Sequence, residues 1–427
     1  MPLVRLEPAA LPSRWEVRVP GSKSLTNRAL LLAGVADGCS TVENGLVAED
    51  TTVMLDAIQA LGARVDSDDA DEWRITGIGG PPTGGGRIWC DMAGTAARFL
   101  VPMVAAGSGS FAIDAHPQLR RRPLGPLLDA LRQQGAVIEP ADRDHDGIPL
   151  TVVADGLRGG LLEVDGSISS QFISGLLMAA VLGRSDLQLR FTSVVSRPYL
   201  ELTRATMAAF GASIELTRDG AEVSVGGYRA ADYAVEPDAS TASYFLALAA
   251  ATGTTCRIPG LDRTTSGQGD LELVRFLEAM GCTANQSGAL ELSGPRVLGG
   301  IEVDMGNSSD VFMTLACLAP FASGPTTIEG VHHARVKESD RVAATAENLR
   351  RLGIRIEEGT DSLRIYPGTP RPARLPTYDD HRIAMAFSVL GARSSIALEH
   401  PEVVNKSCPS FFELWRAVGP TVAFEAR

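Results

Sequence analysis

A segment of about seventy residues recurs six times along this chain of 427 residues. One part of the repeat is an amphipathic helix that ends in glycine and leads directly into a short apolar strand. Apolar residues recur there at i, i+3 and i+4, and the glycine stands where the end of a helix needs a positive φ. Five copies carry this glycine at spacings of 73, 76, 70 and 72 residues, namely Gly62, Gly135, Gly211, Gly281 and Gly353. A fixed period of this kind indicates a fold assembled from repeated units.

The other part of the repeat is a helix of small apolar residues, followed by a turn and a strand. Its six copies begin near residues 28, 97, 172, 243, 311 and 382. Helices that are apolar on nearly every side are buried on most sides, so we place them inside the domains. A chain of this length is too long to fold around a single hydrophobic core of ordinary size. We therefore predict an α/β fold of two domains, each with three repeats, buried helices inside and sheets outside, and a boundary near residues 230–236.

The composition of the chain narrows the classes of partner. The formal net charge is −12, which argues against nucleic acid or an anionic membrane surface as a partner. No stretch approaches about 18 uninterrupted apolar residues, and the first residues lack the apolar segment of a signal peptide, so we expect a cytoplasmic protein. The six cysteines form no C-x-x-C pair and have no histidine at ligand spacing, which predicts buried reduced thiols and no structural zinc site.

Polar segments precede all six apolar helices. They are PGSKSLTNR (20–28), DMAGTAAR (91–98), DGSISSQ (165–171), EPDASTAS (236–243), GNSSD (306–310) and YDDHR (378–382). A Ser, Thr or Asp before a helix is by itself only an N-cap. Several of these segments also contain Lys, Arg or His, which capping does not require. Because helix N-termini favour anions, a site lined by several of them would suit phosphate and carboxylate groups.

Basic residues are concentrated at these and a few matching positions, although the chain is acidic overall. They are Lys23, Arg28, Arg98, Arg120 to Arg122, Arg335, Lys337, Arg341, Arg382 and Lys406, and the carboxylates among them are Asp310, Glu338, Asp340, Asp379 and Asp380. A carboxylate among cations keeps a low pKa, whereas one beside other carboxylates can stay protonated, so the pattern leaves base and acid unassigned. His332 and His333 could ligate a metal, but no third ligand is in range, which favours a polar contact.

Six segments together carry a resemblance to one known family. They are PGSKSLTNRA, AGTAAR, RPLGPLLDAL, SSQFISGLLMAA, RVKESDR and YDDHRIAMAF. Through them the chain resembles the enolpyruvyl transferase family over essentially its whole length, and within it the members that act on 3-phosphoshikimate. The resemblance implies a two-domain clamp with three βαβαββ repeats in each domain. The implied domains are residues 1–19 with 234–427, and residues 20–233.

The resemblance also implies the residues of the site. Those for 3-phosphoshikimate are Lys23, Ser24, Arg28, Ser169, Ser170, Gln171, Ser196, Asp310, His333 and Lys337. Those for phosphoenolpyruvate are Lys23, Gly94, Arg122, Gln171, Arg341, Arg382 and Lys406. Asp310 corresponds to the acceptor of the 5-hydroxyl proton, and Glu338 and Lys23 are the candidates for protonating C3 of phosphoenolpyruvate. The chain departs from the family's usual residues at Met92, Phe99 and His333.

The implied reaction is transfer of the enolpyruvyl group of phosphoenolpyruvate to the 5-hydroxyl of 3-phosphoshikimate, in the shikimate pathway to chorismate and the aromatic amino acids. It implies no metal or organic cofactor, small-molecule partners only, a monomer, closure of the domains around the substrates, and inhibition by glyphosate. Three alternatives remain at this stage. They are the sister enzyme that acts on UDP-N-acetylglucosamine, a transferase for a shikimate-like acceptor in secondary metabolism, and a non-catalytic scaffold that binds anions.

Overall fold

The structure is a computed structural model that describes residues 2–69, 71–142 and 146–425. It divides into two compact units, one formed by Met1–Pro20 with Glu236–Arg427 and the other by Gly21–Val235. The sequence-based division paired residues 1–19 with 234–427. Within the described residues, no helix is long and apolar enough to cross a membrane.

Helices occur throughout both units. The α-helices are α1 Lys23–Val35, α2 Glu49–Ala60, α3 Gly94–Ala105, α4 Pro117–Arg120, α5 Gly125–Gln133, α6 Ser170–Ala180, α7 Pro198–Ala209, α8 Ala239–Thr252, α9 Glu272–Ala279, α10 Phe312–Leu318, α11 Arg341–Arg351, α12 His381–Ser388 and α13 Phe411–Ala417. Short 3-10 helices span Gly269–Leu271, Ala319–Phe321, His332–Val336, Val389–Ala392 and Pro401–Lys406.

The strands alternate with these helices. They are β1 Leu3–Glu7, β2 Arg14–Glu16, β3 Cys39–Glu43, β4 Arg64–Asp69, β5 Glu72–Thr76, β6 Thr83–Trp89, β7 Ser108–Asp114, β8 Val137–Pro140, β9 Leu150–Asp155, β10 Gly160–Gly166, β11 Leu187–Val194, β12 Ile214–Leu216, β13 Gly220–Val223, β14 Asp232–Ala234, β15 Thr255–Pro259, β16 Thr283–Gln286, β17 Ala289–Ser293, β18 Glu302–Asp304, β19 Thr326–Glu329, β20 Ile356–Glu358, β21 Leu363–Ile365, β22 Ala373–Leu375, β23 Ile396–Glu399 and β24 Thr421–Glu425.

Across the described residues the strands form six four-stranded sheets, three in each unit, and all six share one arrangement. In the 21–235 unit the orders are β14-β3-β5-β4, β6-β7-β9-β8 and β10-β11-β13-β12. In the other unit they are β2-β15-β17-β16, β18-β19-β21-β20 and β22-β23-β1-β24. Each sheet has one parallel pair followed by two antiparallel pairs, as in β6 with β7, β7 with β9, and β9 with β8. The repeated βαβαββ unit predicted for the fold is confirmed.

The apolar helices form the two cores. In α3 and α8 every residue except the last of α8 is buried, so these helices are enclosed on all sides. The three such helices of the 21–235 unit, α1, α3 and α6, are joined in one apolar cluster with the inner faces of that unit's sheets. The other three, α8, α10 and α12, do the same in the second unit. The prediction of buried helices inside the domains is therefore confirmed.

The amphipathic helices end as the glycine pattern predicts. Positive φ angles occur at all five glycines of the repeat, between 78° and 108°. After Gly62, for example, the amide of Ala63 donates to the carbonyl of Ile58, which closes the last turn before β4. One expectation about the cysteines is wrong: five are buried, but Cys39 is exposed because it begins β3 at the surface.

Candidate active site

Lys23 is the first residue of the buried helix α1, and its ammonium forms an ion pair. Its Nζ lies 2.9 Å from Oδ2 of Asp50, in the first turn of α2. The Lys23 side chain is 12 % exposed and that of Asp50 is 3 % exposed. An ammonium has three donors, so an anion that reaches Lys23 can bind it without breaking this pair. The pair therefore fixes the direction of the lysine at the start of the helix.

Arg28, one turn further along α1, is buried in the protein rather than facing outward. It is 1 % exposed, and its Nε donates to Oγ1 of Thr203 over 2.8 Å. Its guanidinium carbon lies 4.9 Å from the centre of the Phe99 ring. Burial lowers the pKa of Arg28 to about 10. These contacts connect α1 to α3 and α7, and the implied contact of Arg28 with 3-phosphoshikimate stays a prediction.

Gln171, Arg98 and Thr95 connect the N-termini of α3 and α6. Nη1 of Arg98 donates to Oε1 of Gln171 over 2.7 Å, and Nε2 of Gln171 donates to Oγ1 of Thr95 over 3.0 Å. Gly94 begins α3 beside them, and a Cβ built on it would lie 2.5 Å from Nη1 of Arg122. The structure therefore brings Gly94, Arg122 and Gln171 together, three of the residues implied for phosphoenolpyruvate.

The remaining residues that the resemblance implies in this unit are four serines. Ser169 caps α6, and its Oγ accepts from the amide of Gln171 over 3.3 Å. Ser170 is the first residue of that helix and is 3 % exposed. Ser196 follows β11 with a φ of 51°, in the left-handed region. Ser24 is the second residue of α1, and its carbonyl accepts from Nη1 of Arg28.

In the second unit, Asp310 precedes α10 and is surrounded by three cations. Nζ of Lys337 lies 2.5 Å from its Oδ1, Nη1 of Arg341 lies 3.0 Å from the same oxygen, and Nη2 of Arg382 lies 3.1 Å from its Oδ2. Burial alone would raise the pKa of Asp310, but Arg382, Lys337 and Arg341 together hold it well below its usual value. The carboxylate, 18 % exposed, is therefore ionised.

Arg341, which begins α11, holds three carboxylates in place. Its Nε lies 2.8 Å from Oδ2 of Asp380, and its Nη2 lies 2.7 Å from Oε2 of Glu338. Asp380 is fully buried and also accepts from the amide of Arg382 over 3.0 Å, which caps α12. Because one guanidinium contacts Asp310, Glu338 and Asp380, it fixes the spacing between the two carboxylates to which the resemblance gives proton-transfer roles.

His333 lies beside the Asp310 site and is kept neutral. Its Nε2 lies 2.7 Å from Oγ of Ser309, and Nζ of Lys337 donates to the same hydroxyl over 3.1 Å. Burial, with Lys337 and His332 nearby, lowers the pKa of His333 to about 3. Burial also lowers the pKa of Lys337, while Asp310 opposes that effect. Lys406, 4 % exposed, ends a 3-10 helix that packs on α12, the helix that carries Arg382.

Sequence reasoning missed Asp50. It counted Arg98 among the clustered basic residues and had Thr95 and Ser309 in the polar segments before the helices, but it assigned none of these three to a substrate. An acid in the first turn of a helix is an ordinary feature, so the sequence holds no signal that Asp50 pairs with Lys23. Arg98 belongs to the same recurring segment as Gly94, which was a usable signal. No cluster of three or more His, Cys, Asp or Glu side chains that could hold a metal lies in the described ranges.

Comparison with known proteins gives a family over nearly the whole chain. The family model for EPSP synthase (3-phosphoshikimate 1-carboxyvinyltransferase) matches residues 12–415. A 3-phosphoshikimate 1-carboxyvinyltransferase 2 of Halalkalibacterium halodurans is 40% identical over 418 residues, which cover 96% of this chain and 93% of that protein. A 3-phosphoshikimate 1-carboxyvinyltransferase of Serratia proteamaculans is 40% identical over 423 residues and 96% of both chains.

Solved structures with the same fold cover the chain completely. EPSP synthase from Acinetobacter baumannii superposes with a TM-score of 0.84 at 24% identity, over 100% of both chains. The enolpyruvyl transferase NikO from Streptomyces tendae superposes with a TM-score of 0.81 at 18% identity, over 100% of this chain and 99% of that one. At these identities the likeness establishes the fold: two domains of enolpyruvyl transferase type.

Proposed function

The chain belongs to the EPSP synthase family, and we propose that the residues around Lys23, Gly94 and Asp310 perform the family's reaction in it. The protein is a transferase that moves the enolpyruvyl group of phosphoenolpyruvate to 3-phosphoshikimate in the shikimate pathway. The observation that carries the assignment of roles is the Asp310 carboxylate, bound by Lys337, Arg341 and Arg382 within 3.1 Å.

Both substrates are polyanions, so the site must offset their mutual repulsion. We assign 3-phosphoshikimate to Lys23, Ser24, Arg28, Ser169, Ser170, Gln171, Ser196, Asp310, His333 and Lys337. We assign phosphoenolpyruvate to Lys23, Gly94, Arg122, Gln171, Arg341, Arg382 and Lys406. Preorganised charge and orientation supply most of the rate enhancement in reactions of this type. Arg122 lies beside the start of α3, because a Cβ built on Gly94 would come within 2.5 Å of its Nη1. This supports the second assignment, since an anion there would meet both a helix N-terminus and a cation.

Asp310 accepts the proton of the 5-hydroxyl in this proposal. Its three cations keep it ionised, which makes it available as an acceptor but a weak base. When the substrate anions share the charge of Arg382 and Lys337, the pKa of Asp310 rises, because part of the charge that lowered it is neutralised. The base therefore gains strength as the substrates bind and is strongest with both in place.

The reaction balances without any cofactor. The 5-oxygen bonds to C2 of phosphoenolpyruvate as C3 takes a proton, which gives a tetrahedral intermediate with a methyl group. Loss of inorganic phosphate from C2 and of one proton from that methyl group then restores the double bond. Glu338 and Lys23 are both candidates for the proton on C3, and the pairing of Glu338 with Arg341 leaves that choice open.

The experiment that tests these roles is inorganic phosphate release with purified protein, phosphoenolpyruvate and shikimate 3-phosphate. Asp310→Asn should lower kcat by roughly a hundred- to ten-thousandfold, the usual contribution of a positioned base. Titration calorimetry should find shikimate 3-phosphate binding largely retained, since Asp310 is one of many polar contacts. Turnover near the wild-type rate would remove Asp310 from the base role. UDP-N-acetylglucosamine in place of shikimate 3-phosphate is the acceptor control, for which no phosphate release is expected.

We further propose that the protein acts in the cytoplasm as a monomer and that its domains close during the reaction. Light scattering after size-exclusion chromatography, with and without both substrates, tests whether the protein is a monomer. A mass of twice 45.0 kDa would contradict the monomer.

A further inference from the structure

Asp270 is a buried carboxylate that the proposed reaction does not use. It is the middle residue of the 3-10 helix Gly269–Leu271 and is 3 % exposed. Its Oδ2 accepts a hydrogen bond from Oγ of Ser240, in the first turn of the buried helix α8. Among the residues that the structure describes, none donates to its Oδ1. A buried carboxylate with one satisfied oxygen is costly when ionised.

The surroundings of Asp270 tie it to the Asp310 site. Its hydrogen bond with Ser240 joins Asp270 to α8. One turn further along α8, Oγ of Ser243 lies 3.1 Å from Oγ1 of Thr314 in α10, the helix that Asp310 precedes. The charged residues of the neighbouring helix α9 have other partners: Glu272 pairs with Arg275 at 3.7 Å, and Glu278 pairs with Arg263 at 3.0 Å. Asp270 is therefore joined through one turn of α8 to the helix of the proposed base, and the charges of Asp310 and Arg382 both act on its pKa.

The charge of Asp270 changes in the neutral range of pH. Burial raises the pKa of Asp270 to about 6, and Asp310 and Asp238 raise it as well, whereas Arg382 and the Ser240 hydrogen bond lower it. Below this pH the residue is neutral, and above it the residue carries a charge that acts on Asp310. A negative charge beside a carboxylate raises that carboxylate's proton affinity.

We propose that Asp270 is a positioning residue whose charge sets the strength of Asp310 as a base. The inference rests on the proposed role of Asp310. Ionised Asp270 opposes the field of Arg382 and strengthens the base, and protonated Asp270 leaves Asp310 under the full field of its cations. Turnover then depends on the charge of a residue that touches no substrate.

Asp270→Asn keeps the shape and an oxygen that accepts from Ser240, but it fixes the neutral state. The quantity to measure is the ratio of wild-type to D270N kcat at saturating substrates, because titration of the substrate phosphates cancels in it. The ratio should be near one at about pH 5 and rise to roughly three to ten by about pH 8, the change expected when a base shifts by half to one pKa unit. A ratio that is constant across this range would overturn the proposal, because a purely structural loss is independent of pH.

Two further variants make the test specific. Ser240→Ala removes the hydrogen bond that favours the ionised form, so the midpoint of its kcat ratio to D270N should move to higher pH. If D270N does not fold, the ratio of wild-type to Ser240→Ala kcat is measured instead. A ratio that does not change with pH would then refute the proposal. Glu272→Gln, the same charge change two residues away, should give a constant ratio near one. Asp310→Asn separates the two proposals, since full activity in that variant refutes the base itself, whatever the Asp270 profile.

Discussion

Gly94→Ala adds one methyl group at the start of α3, where the structure leaves almost no space. The new Cβ would lie 2.5 Å from Nη1 and 3.0 Å from Cζ of Arg122. Nonbonded heavy atoms are most stable at about 3.5–4.0 Å, so the guanidinium must retreat by about 1 Å. The end of an arginine side chain can move this far without disturbing the helix. The cost therefore falls on the ligand that Arg122 binds and not on the fold.

The size of the effect follows from the interaction that is weakened. A hydrogen bond to a charged group contributes about 1.5–3 kcal/mol, so partial loss corresponds to about a tenfold rise in the phosphoenolpyruvate KM. Glyphosate is a longer anion, and it should meet the methyl group as well as lose the Arg122 contact. Its inhibition constant should rise roughly a hundredfold, a change of about 2.8 kcal/mol.

The assay is inhibition of phosphate release by glyphosate at several phosphoenolpyruvate concentrations. The inhibition should be competitive with phosphoenolpyruvate in the wild-type protein. Gly125→Ala is the matched control, because Gly125 is likewise the first residue of a helix, α5, and a Cβ on it would meet no atom within 4 Å. That variant should behave as the wild-type protein does.

Two results would refute this reasoning. If Gly94→Ala changes neither glyphosate inhibition nor the phosphoenolpyruvate KM, the pocket lies elsewhere. If Gly94→Ala and Arg122→Lys have independent effects when combined, the methyl group does not act through Arg122, since residues in contact should show a coupling of roughly 0.5–3 kcal/mol.

Two predictions concern stability. Arg28→Lys should lower the free energy of unfolding by roughly 2–4 kcal/mol in urea titrations, because a lysine cannot reproduce the buried guanidinium contacts; the exposed Arg64→Lys is the control, and equal stabilities would contradict the structural role. His333 has a folded pKa of about 3, below its unfolded value, so the unfolded state takes up the proton first and stability falls as pH drops below about 6.5. His333→Asn should remove roughly 2 kcal/mol of the stability loss between about pH 7 and pH 5, and parallel pH profiles of the two proteins would contradict the assignment.

The sequence contained most of the information about the fold because the repeat constrains it many times over. The apolar helices identify the cores, and glycines such as Gly62 and Gly353 locate the helix ends by a local rule that needs no tertiary knowledge. The order of the strands within each sheet could not be predicted from the repeat. The strand β14 completes the first sheet of its unit, beside β3, although about 190 residues lie between them. Only the resemblance to a known family supplied a topology of this kind.

The site was less accessible to sequence reasoning, because side-chain partners depend on tertiary placement. Arg28 illustrates this: its position in a helix does not say which way it points. The structure directs it to Thr203 and against Phe99, one of the departures from the family pattern. The pairing of Lys23 with Asp50 likewise joins positions that differ in their place within the repeat. Residue types could therefore be predicted, whereas their ionic partners could not.

The position of β1 affects how the chain matures during synthesis. This strand lies between β23 and β24, with Leu3 paired to both Glu399 and Glu425, so both of its neighbours in the sheet are made long after it. The ribosome adds about 5–20 residues per second, so β1 waits roughly 20 to 80 s for its neighbours. The 21–235 unit draws all three of its sheets from its own strands and can complete them long before. Until β23 and β24 are made, β1 is an unpaired strand, the kind of edge that chaperones shield.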